Sequence, residues 1–301
     1  MMRSDAWPQH CRAALVRAVG AAAAQFPDPG EEAPKRVHDV RKTLKEARAI
    51  ARLFLDCVGE PARVTITTLA ATRRQIGRAR DLDVMAIRVQ RLEPPPEVSE
   101  PLMAAIARER EAAMSARRGG LSATAPRPRL NAIVRRLEGW DLSAVGTPEI
   151  AAALERTYRQ ARKRGRLAFG SDDPVALHAF RARVVDLHYQ LSLLSRAWPD
   201  ALNAQAEALN DLREALGDFN DLHVLGTFAA EHGELPPQAL EELSVRMEAK
   251  QKKLKRRANV EFERLFAETP NAFSTRIAAY LNHPMIEPEV AEDEPKAVSS
   301  G

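Results

Sequence analysis

The chain has 301 residues, of which 45% are hydrophobic and only 5% aromatic, and this length can bury a core in one large domain or two moderate ones. Its two cysteines exclude a disulfide framework, and no apolar run reaches the ~18 residues of a membrane-spanning helix. The formal net charge is +4, and a basic surplus indicates an anionic partner such as nucleic acid, phosphate or a lipid headgroup. These features predict a cytoplasmic protein that does not enter the membrane.

The charge is unevenly distributed along the chain. Residues 284–301 contain five acidic residues and one lysine, which leaves 44 basic and 36 acidic residues, a net charge of +8, in residues 1–283. Acidic segments with few apolar residues cannot bury enough surface to fold. We therefore predict a disordered acidic tail at 284–301 and a more basic folded part.

Taken in chain order, the segments rich in Pro and Gly separate helical stretches. The stretch "CRAALVRAVGAAAAQF" predicts a first amphipathic helix, and "RVTITTLAA" is interpreted as part of a helix, not a strand. Pro148 suits the first turn of a helix, and Ser171 to Asp173 are candidate N-caps. Breaks are predicted at "PDPGEEAP", "EPPPEVSEP", "RRGGLSATAPRPR", "GWDLSAVGTPE" and "FGSDDP". Because Ala, Leu, Arg and Glu dominate and favour helix, the predicted fold class is all-α.

An internal repeat organises the chain. Shifted by 140 positions, residues 37–85 align with residues 177–225 without a gap, and nine positions are identical. The repeat predicts two tandem helical bundles, at about 6–140 and 147–283, related by a pseudo-two-fold axis. The identical pairs are His38/His178, Arg41/Arg181, Leu53/Leu193, Leu69/Leu209, Arg73/Arg213, Gly77/Gly217, Asp81/Asp221, Leu82/Leu222 and Val84/Val224.

The helix predicted over 37–54, "VHDVRKTLKEARAIARLF", carries an uninterrupted basic sector beside its apolar face. Exposed helix faces usually mix signs, because opposite charges at i,i+4 stabilise a helix and like charges destabilise it. A basic sector that borders the core therefore indicates the wall of an anion site, although a solvated charged face stays the alternative. The sector consists of His38, Arg41, Lys42, Lys45, Arg48 and Arg52.

The second copy of this helix is a poorer anion surface. Lys45, Arg48 and Arg52 are replaced by Val185, His188 and Ser192, and an acid, Asp186, stands in place of Glu46. Further cations are predicted to come from the preceding helix, "LERTYRQARKRGRLAF", and from the last long helix, "RMEAKQKKLKRRANVEFERLF". Arginine suits bidentate contacts to phosphate oxygens.

The pattern leaves some alternatives open. His38–Asp39 is a pair that metal-dependent phosphohydrolases use, but the second copy has His178–Ala179 and no further ligand set is suitably spaced. Asp81 and Asp221 are interpreted as helix caps or ion-pair partners of Arg73 and Arg213, in preference to a His–Asp site. Gly77 and Gly217 are interpreted as sites of close helix packing, and Trp140, Trp198 and the phenylalanines as core residues.

The motifs "VHDVRKTLKEARAIARLF", "RRQIGRARDLDV", "ALHAFRARVVDLHYQLSLL" and "LREALGDFNDLHV" resemble the paired signatures of the CHAD family, the conserved-histidine α-helical domains. The resemblance extends over about residues 8–283. It implies two helical bundles around a central basic cavity that binds inorganic polyphosphate. The family's motif histidines correspond to His38 and His178, and its basic positions correspond to Arg41, Lys42, Lys45, Arg48 and Arg181.

We therefore expect a non-catalytic protein that binds inorganic polyphosphate and, less specifically, other polyanions, with no cofactor and no metal. Association with polyphosphate granules is a further expectation. A nucleic-acid-binding helical protein is the alternative, and a metal-dependent polyphosphate or triphosphate hydrolase is a weaker one. The candidate site comprises His38, Arg41, Lys42, Lys45, Arg48, Arg52, Arg73, Arg80, Tyr158, Arg159, Arg162, Lys163, Arg166, His178, Arg181, His188, Arg213, Lys250, Lys253 and Arg257.

Overall fold

The structure is a computed structural model that describes residues 6–27, 34–119, 126–171 and 173–286. All regular structure in these ranges is helical, which confirms the predicted all-α fold. Short 3-10 turns at Arg52–Phe54 and Ser195–Ala197 follow the second and ninth helices. The helices are α1 Ala6–Ala24, α2 Pro34–Ala51, α3 Leu55–Val58, α4 Glu60–Gln75, α5 Arg78–Leu92, α6 Pro96–Gly119, α7 Pro126–Glu138, α8 Thr147–Phe169, α9 Pro174–Leu194, α10 Pro199–His232, α11 Pro237–Leu265 and α12 Pro270–Leu281.

Several helices begin at the signals that the sequence provides. Pro148 lies in the first turn of α8, as predicted. Of the predicted caps before α9, Asp173 serves as the N-cap, and its Oδ1 accepts a hydrogen bond from the backbone N of Val175 at 2.8 Å. Thr269 caps α12 by accepting from the backbone N of Ala272 at 3.2 Å. A capping side chain satisfies one of the backbone N–H groups that a helix start leaves unpaired.

Equivalent helices of the two sequence repeats pack in equivalent pairs. The pair α1–α2 corresponds to α8–α9, the pair α5–α6 to α10–α11, and the pair α1–α7 to α8–α12. The long α10 corresponds to α4 and α5 together, because the first half is interrupted at Ile76–Gly77 whereas the second continues through Gly217. These pairings agree with the repeat, and the pseudo-two-fold axis itself stays a prediction.

The hydrophobic core does not divide where the sequence repeat divides. The largest buried apolar cluster joins α1, α2, α4 and α7 of the first half to α8, α9, α10 and α12 of the second. A smaller cluster joins α5 and α6 to α10 and α11. The Nε1 of Trp7 in α1 also donates to the backbone O of Leu281 in α12 at 2.9 Å. The two repeats therefore share their cores, and the predicted boundary at 140–147 is not a boundary of packing.

Two predictions about the chain's periphery need correction. Trp140 is buried as expected, but Trp198 has 46% of its surface exposed and contacts the ring of Tyr280 edge-on. The first residues of the predicted disordered tail have a defined place, since the backbone N of Ile286 donates to the backbone O of Arg196 at 2.8 Å. Residues 287–301, the rest of that prediction, lie outside the described residues, as do residues 120–125 of the predicted linker. Among the described helices, none is long and apolar enough to cross a membrane.

Candidate functional site

Helix α2 lies between α1, α4 and α9, and this position determines which of its faces is buried. Its predicted apolar face is buried as expected, from Val37 at one end to Phe54 in the following 3-10 turn. The basic sector runs along the border of that face. Its cations therefore lie beside the packing surfaces of α4 and α9, which contribute further cations of their own.

Five cations from four helices converge at this border, and we call them the central cluster. The amine of Lys45 marks its middle, because burial and then the charges of the four arginines lower the pKa of Lys45 to about 7. A desolvated ammonium among like charges is the arrangement that disfavours its protonated form. The central cluster consists of Arg41 and Lys45 from α2, Arg73 from α4, Arg181 from α9 and Arg213 from α10.

Two glycines make room for the paired arginines of this cluster. A Cβ at Gly77 would collide with Nη1 of Arg41, and a Cβ at Gly217 would lie 3.1 Å from Nη2 of Arg181. The sequence predicted close packing at both positions. The structure shows that what approaches each glycine is the guanidinium of the equivalent arginine, so the repeated glycine serves the repeated cation.

The repeated aspartates lie beside the same arginines, with partners that differ from the predicted ones. Oδ1 of Asp81 accepts from Nη2 of Arg41 at 2.8 Å, and not from Arg73. Asp221 pairs with Arg88 of α5, whose Nη2 lies 3.0 Å from its Oδ2, and not with Arg213. Arg88 could not be predicted from the repeat, because its counterpart in the second repeat is Phe228.

The central cluster contains more cationic groups than nearby acceptors. Within the described chain, no carboxylate oxygen lies within ion-pair distance of Lys45, Arg73 or Arg181. The Nε atoms of Arg73, Arg181 and Arg213 are buried without a hydrogen-bond acceptor there. Burial and neighbouring cations lower the pKa of Arg73 to about 10. Buried donors are normally satisfied, so the cluster is suited to receive an anion with several oxygens.

The two motif histidines have different surroundings. His178 is held by Oδ1 of Asn220, 2.9 Å from its Nδ1. In the first repeat the position of Asn220 is taken by Arg80. Burial and then the charge of Arg80 lower the pKa of His38. Arg80 and the exposed Lys42 therefore extend the positive surface at the first-repeat side of the central cluster, and His38 adds an imidazole that can donate a hydrogen bond.

Arg48 and Arg52 belong to a different group of charges, where α2 crosses α9. The carboxylate of Asp186 is fully buried there. It lies 3.8 Å from Arg48, 3.3 Å from Arg52 and 2.9 Å from Arg183. Arg48 and Arg52 thus share a fully buried counter-ion, whereas Arg41 is paired with the more exposed Asp81.

On α9, the residues that stand where α2 has cations pack at the same crossing. Val185, which replaces a lysine, forms a small buried cluster with Ala49 and Tyr189. Gln190 Nε2 donates to the backbone O of Ala49 at 2.8 Å. His188 is partly buried against α10, with its Nδ1 2.9 Å from the backbone O of Ala206, and burial lowers its pKa.

Tyr158 is a correction to the predicted site. Its side chain is fully buried, stacked on Phe273 at a centroid distance of 4.1 Å, and its hydroxyl donates to the backbone O of Glu268 at 3.1 Å. A ring enclosed in this way is a core residue and cannot contact a polyanion, so we remove it from the candidate site. Arg162 beside it donates from Nε to the backbone O of Phe266 at 2.9 Å and so satisfies the end of α11.

The other predicted cations lie away from the central cluster. Arg159, Arg162, Lys163 and Arg166 line a separate concavity of about 340 Å³ on α8, together with Leu167 and Pro270. On α11, Lys250 donates to the backbone O of Arg91 at 3.1 Å, which satisfies the end of α5. Lys253 and Arg257 are exposed on α11. Sequence periodicity could not distinguish the cations on these two surfaces from those of the central cluster.

Metal ligands are not grouped in the described part of the chain. No set of three or more His, Cys, Asp or Glu side chains lies close enough there to hold a metal ion. His38 and Asp39, the pair that raised the metal alternative, are thus not joined by a third described ligand.

Helices from the two sequence repeats thus bring cations together within an all-helical architecture. Compared with known families, the sequence matches the CHAD domain over residues 13–230, so the chain belongs to the CHAD family. The fold is similar to that of the CHAD domain from the plant Ricinus communis, with a TM-score of 0.58 and 18% identity over 94% of this chain and 93% of that one. Among curated proteins, none matches the chain.

Proposed function

We propose that the protein binds inorganic polyphosphate, without cleaving it, at the central cluster and its extension through His38, Lys42 and Arg80. The observation that carries this proposal is the Lys45 amine, which has four arginines around it and no described carboxylate within ion-pair distance. Bringing such charges together costs free energy in the absence of a ligand. A polyanion supplies the missing counter-charge, and membership of the CHAD family supports the same ligand class.

The burial of the cluster favours a thin polyanion over duplex DNA. Arg41, Lys45, Arg73 and Arg181 are partly buried, and they come from different helices instead of forming one exposed stripe. A single flexible chain of phosphates can enter a depression and bend to meet converging donors. A duplex is stiff over ~150 base pairs and binds mainly through exposed cations that follow its backbone. Guanidinium groups can also hold phosphate oxygens in pairs.

Competition binding tests the proposal. Fluorescently labelled long-chain polyphosphate is titrated with the protein at two salt concentrations, then challenged with duplex DNA at equal phosphate concentration. We expect saturable binding that weakens with salt because counterions are released, and little displacement by DNA. Displacement of polyphosphate by DNA would support the nucleic-acid alternative instead.

Phosphate release separates binding from hydrolysis. The protein is incubated with polyphosphate and with triphosphate in the presence of Mg²⁺ or Mn²⁺, and free phosphate is measured. We expect none above background while binding is retained. In cells, a polyphosphate-binding protein should co-localise with polyphosphate granules, and the Arg41→Glu/Lys45→Glu protein should not.

A further inference from the structure

The buried carboxylate of Asp186 has three arginine partners. Arg183 is on its own helix, whereas Arg48 and Arg52 come from α2 in the other sequence repeat. Its exposed fraction is 0%. A buried carboxylate of this kind is kept only where cations compensate it, and here the compensation crosses the interface between the repeats.

The charges in this group do not balance. One carboxylate faces three guanidinium groups, so the group keeps a net positive charge. Both carboxylate oxygens lack a hydrogen bond of good geometry, and the Nε atoms of Arg48, Arg52 and Arg183 are buried without an acceptor in the described chain. Asp186 therefore interacts with these arginines through its charge, and their Nε donors stay without an acceptor in the described chain.

The group adjoins the central cluster. The charge of Arg48 is among the causes that lower the pKa of Arg73, and Arg48 is the most distant of the three partners of Asp186, at 3.8 Å. Arg48 thus lies between the two groups, while Arg52, at 3.3 Å from the carboxylate, belongs to Asp186. Without that carboxylate, the cations of α2 would form one continuous row.

The first repeat has no equivalent of this group among the described residues. Glu46, the counterpart of Asp186, is only partly buried and lines a concavity between α1, α2 and α9. On α9 the positions equivalent to Arg48 and Arg52 are His188 and Ser192. Among the cations of the basic sector, the buried counter-ion Asp186 therefore acts only on those at the C-terminal end of α2.

We propose that Asp186 is an internal counter-ion that sets the limit of the polyphosphate-binding cluster along α2. It forms an ion pair with Arg52 and so keeps this arginine from contacting phosphate. The inference rests on the proposed function. The Asp186 carboxylate would then determine how many phosphates the site contacts and on which side the polyphosphate chain leaves the site. The competing explanation is that the Asp186 group only fastens α2 to α9.

The first test is Asp186→Asn, which removes the charge and keeps the shape. We expect polyphosphate to bind about 3- to 10-fold more tightly at low salt. The slope of log affinity against log salt should become steeper by about 0.7–0.9 for each additional phosphate contact. Polyphosphate should also raise the melting temperature of this variant more than that of the wild type. Unchanged affinity and unchanged slope would overturn the inference.

A matched control removes a carboxylate from another arginine pair. Oδ1 of Asp83 lies 2.6 Å from Nε of Arg110, between α5 and α6. Asp83→Asn makes the same change in charge outside both groups. Its affinity for polyphosphate and its salt slope should stay within about twofold of the wild type. An equal gain in both variants would mean that net charge alone tightens binding, which also overturns the inference.

A second pair of variants decides the question if Asp186→Asn does not fold. Arg52→Gln should leave polyphosphate affinity within about twofold of the wild type, whereas Arg73→Gln should lower it about tenfold because a charged hydrogen bond is lost. Equal losses in the two variants would show that Arg52 contacts phosphate, contrary to the inference. Absence of binding by the wild type would instead contradict the proposed function itself.

Discussion

Helices α2 and α9 occupy equivalent positions in the two sequence repeats but present opposite chemistry. Along α2, cations follow the edge of the apolar face. On α9 two of the equivalent positions hold Val185 and Ser192, and the buried acid Asp186 stands where α2 has the partly exposed Glu46. One copy of the helix supplies most of the cations, and the other supplies the surface and the counter-charge against which they lie.

The difference between α2 and α9 has a physical reason at the point where the two helices cross. Two helices with the same basic edge would repel where they cross, and their buried guanidinium groups would have no counter-ion. Val185 packs on Ala49 at that crossing, and Asp186 compensates Arg48 and Arg52. The cations that α9 does retain, notably Arg181, point to the same place as those of α2. The two helices thus contribute different residues to one shared group of cations.

The largest expected effect comes from reversing two charges on α2. Arg41→Glu/Lys45→Glu should weaken polyphosphate binding about 100-fold or more, because like charges placed opposite each other cost several kcal/mol. Circular dichroism should remain helical, since neither side chain belongs to the apolar face of α2. Affinity is measured by fluorescence titration at fixed salt.

The control for that variant reverses two exposed cations elsewhere. Lys253→Glu/Arg257→Glu changes the net charge equally on α11, outside the central cluster. Its affinity should fall by less than about threefold, an amount that long-range screening at 0.1 M salt allows. If the two double variants lose equal affinity, binding depends on overall charge and not on the convergence at α2.

Much of this comparison could be predicted from the sequence. Hydrophobic periodicity identified α2 and its buried face, proline and aspartate signals identified the starts of α8 and α9, and the 140-residue shift identified the equivalent cations. These features depend on neighbours along the chain or on a repeat within it. The all-α class followed from a composition that favours helix, and the CHAD family followed from the resemblance of four motifs to its signatures.

The remaining errors concern contacts between helices far apart in sequence. Periodicity could not show that Tyr158 is stacked in the core while Arg73 and Arg213 meet Lys45. It also could not show that Asp186 is buried against α2, since an acid on a helix is usually exposed. Which cations converge depends on helix packing, and a one-dimensional pattern does not contain that information.

The second largest effect should be a dependence of binding on pH that belongs to α2 alone. The pKa of Lys45 is about 7 in the free protein, and a bound polyanion favours its protonated form. Below that pH the amine is already charged, and above it binding requires uptake of a proton. Affinity should therefore fall as pH rises, by about tenfold at pH 8 relative to pH 6.

Lys45→Arg is the control for this pH dependence, because an arginine stays protonated over the same range. Its affinity should change little between those pH values, apart from the titration of the ends of the polyphosphate itself. An identical pH profile in the wild type and in Lys45→Arg would assign the titration to another group, such as His38.

A smaller effect is expected when the two glycines are compared. Gly77→Ala should displace the guanidinium of Arg41, since the new Cβ would collide with it, and should weaken binding about 3- to 10-fold. Gly217→Ala approaches Arg181 at 3.1 Å, a distance that a slight shift relieves, so we expect a loss of about twofold or less. Gly217 lies inside α10, where alanine favours helix over glycine by about 0.5–1 kcal/mol, so Gly217→Ala should not unfold more easily. Gly77 is the N-cap of α5, where alanine brings no such gain, so the folded fraction of Gly77→Ala is checked by circular dichroism. Equal losses would mean that the repeats contribute equally.

The smallest effect is expected on the outer face of α8. Lys163→Gln/Arg166→Gln removes two cations from the separate concavity that Leu167 and Pro270 also line. Affinity for short polyphosphate should stay within about twofold of the wild type. A loss comparable to that of Arg73→Gln would place the principal site on α8 instead of between α2 and α9.

A crystal structure with polyphosphate of defined length shows whether the cations converging on Lys45 hold a phosphate chain. We predict phosphate oxygens within hydrogen-bond distance of Arg41, Lys45, Arg73, Arg181 and Arg213, with Arg52 still paired to Asp186. A chain bound along α8 or α11, with the central cluster empty, would contradict the account.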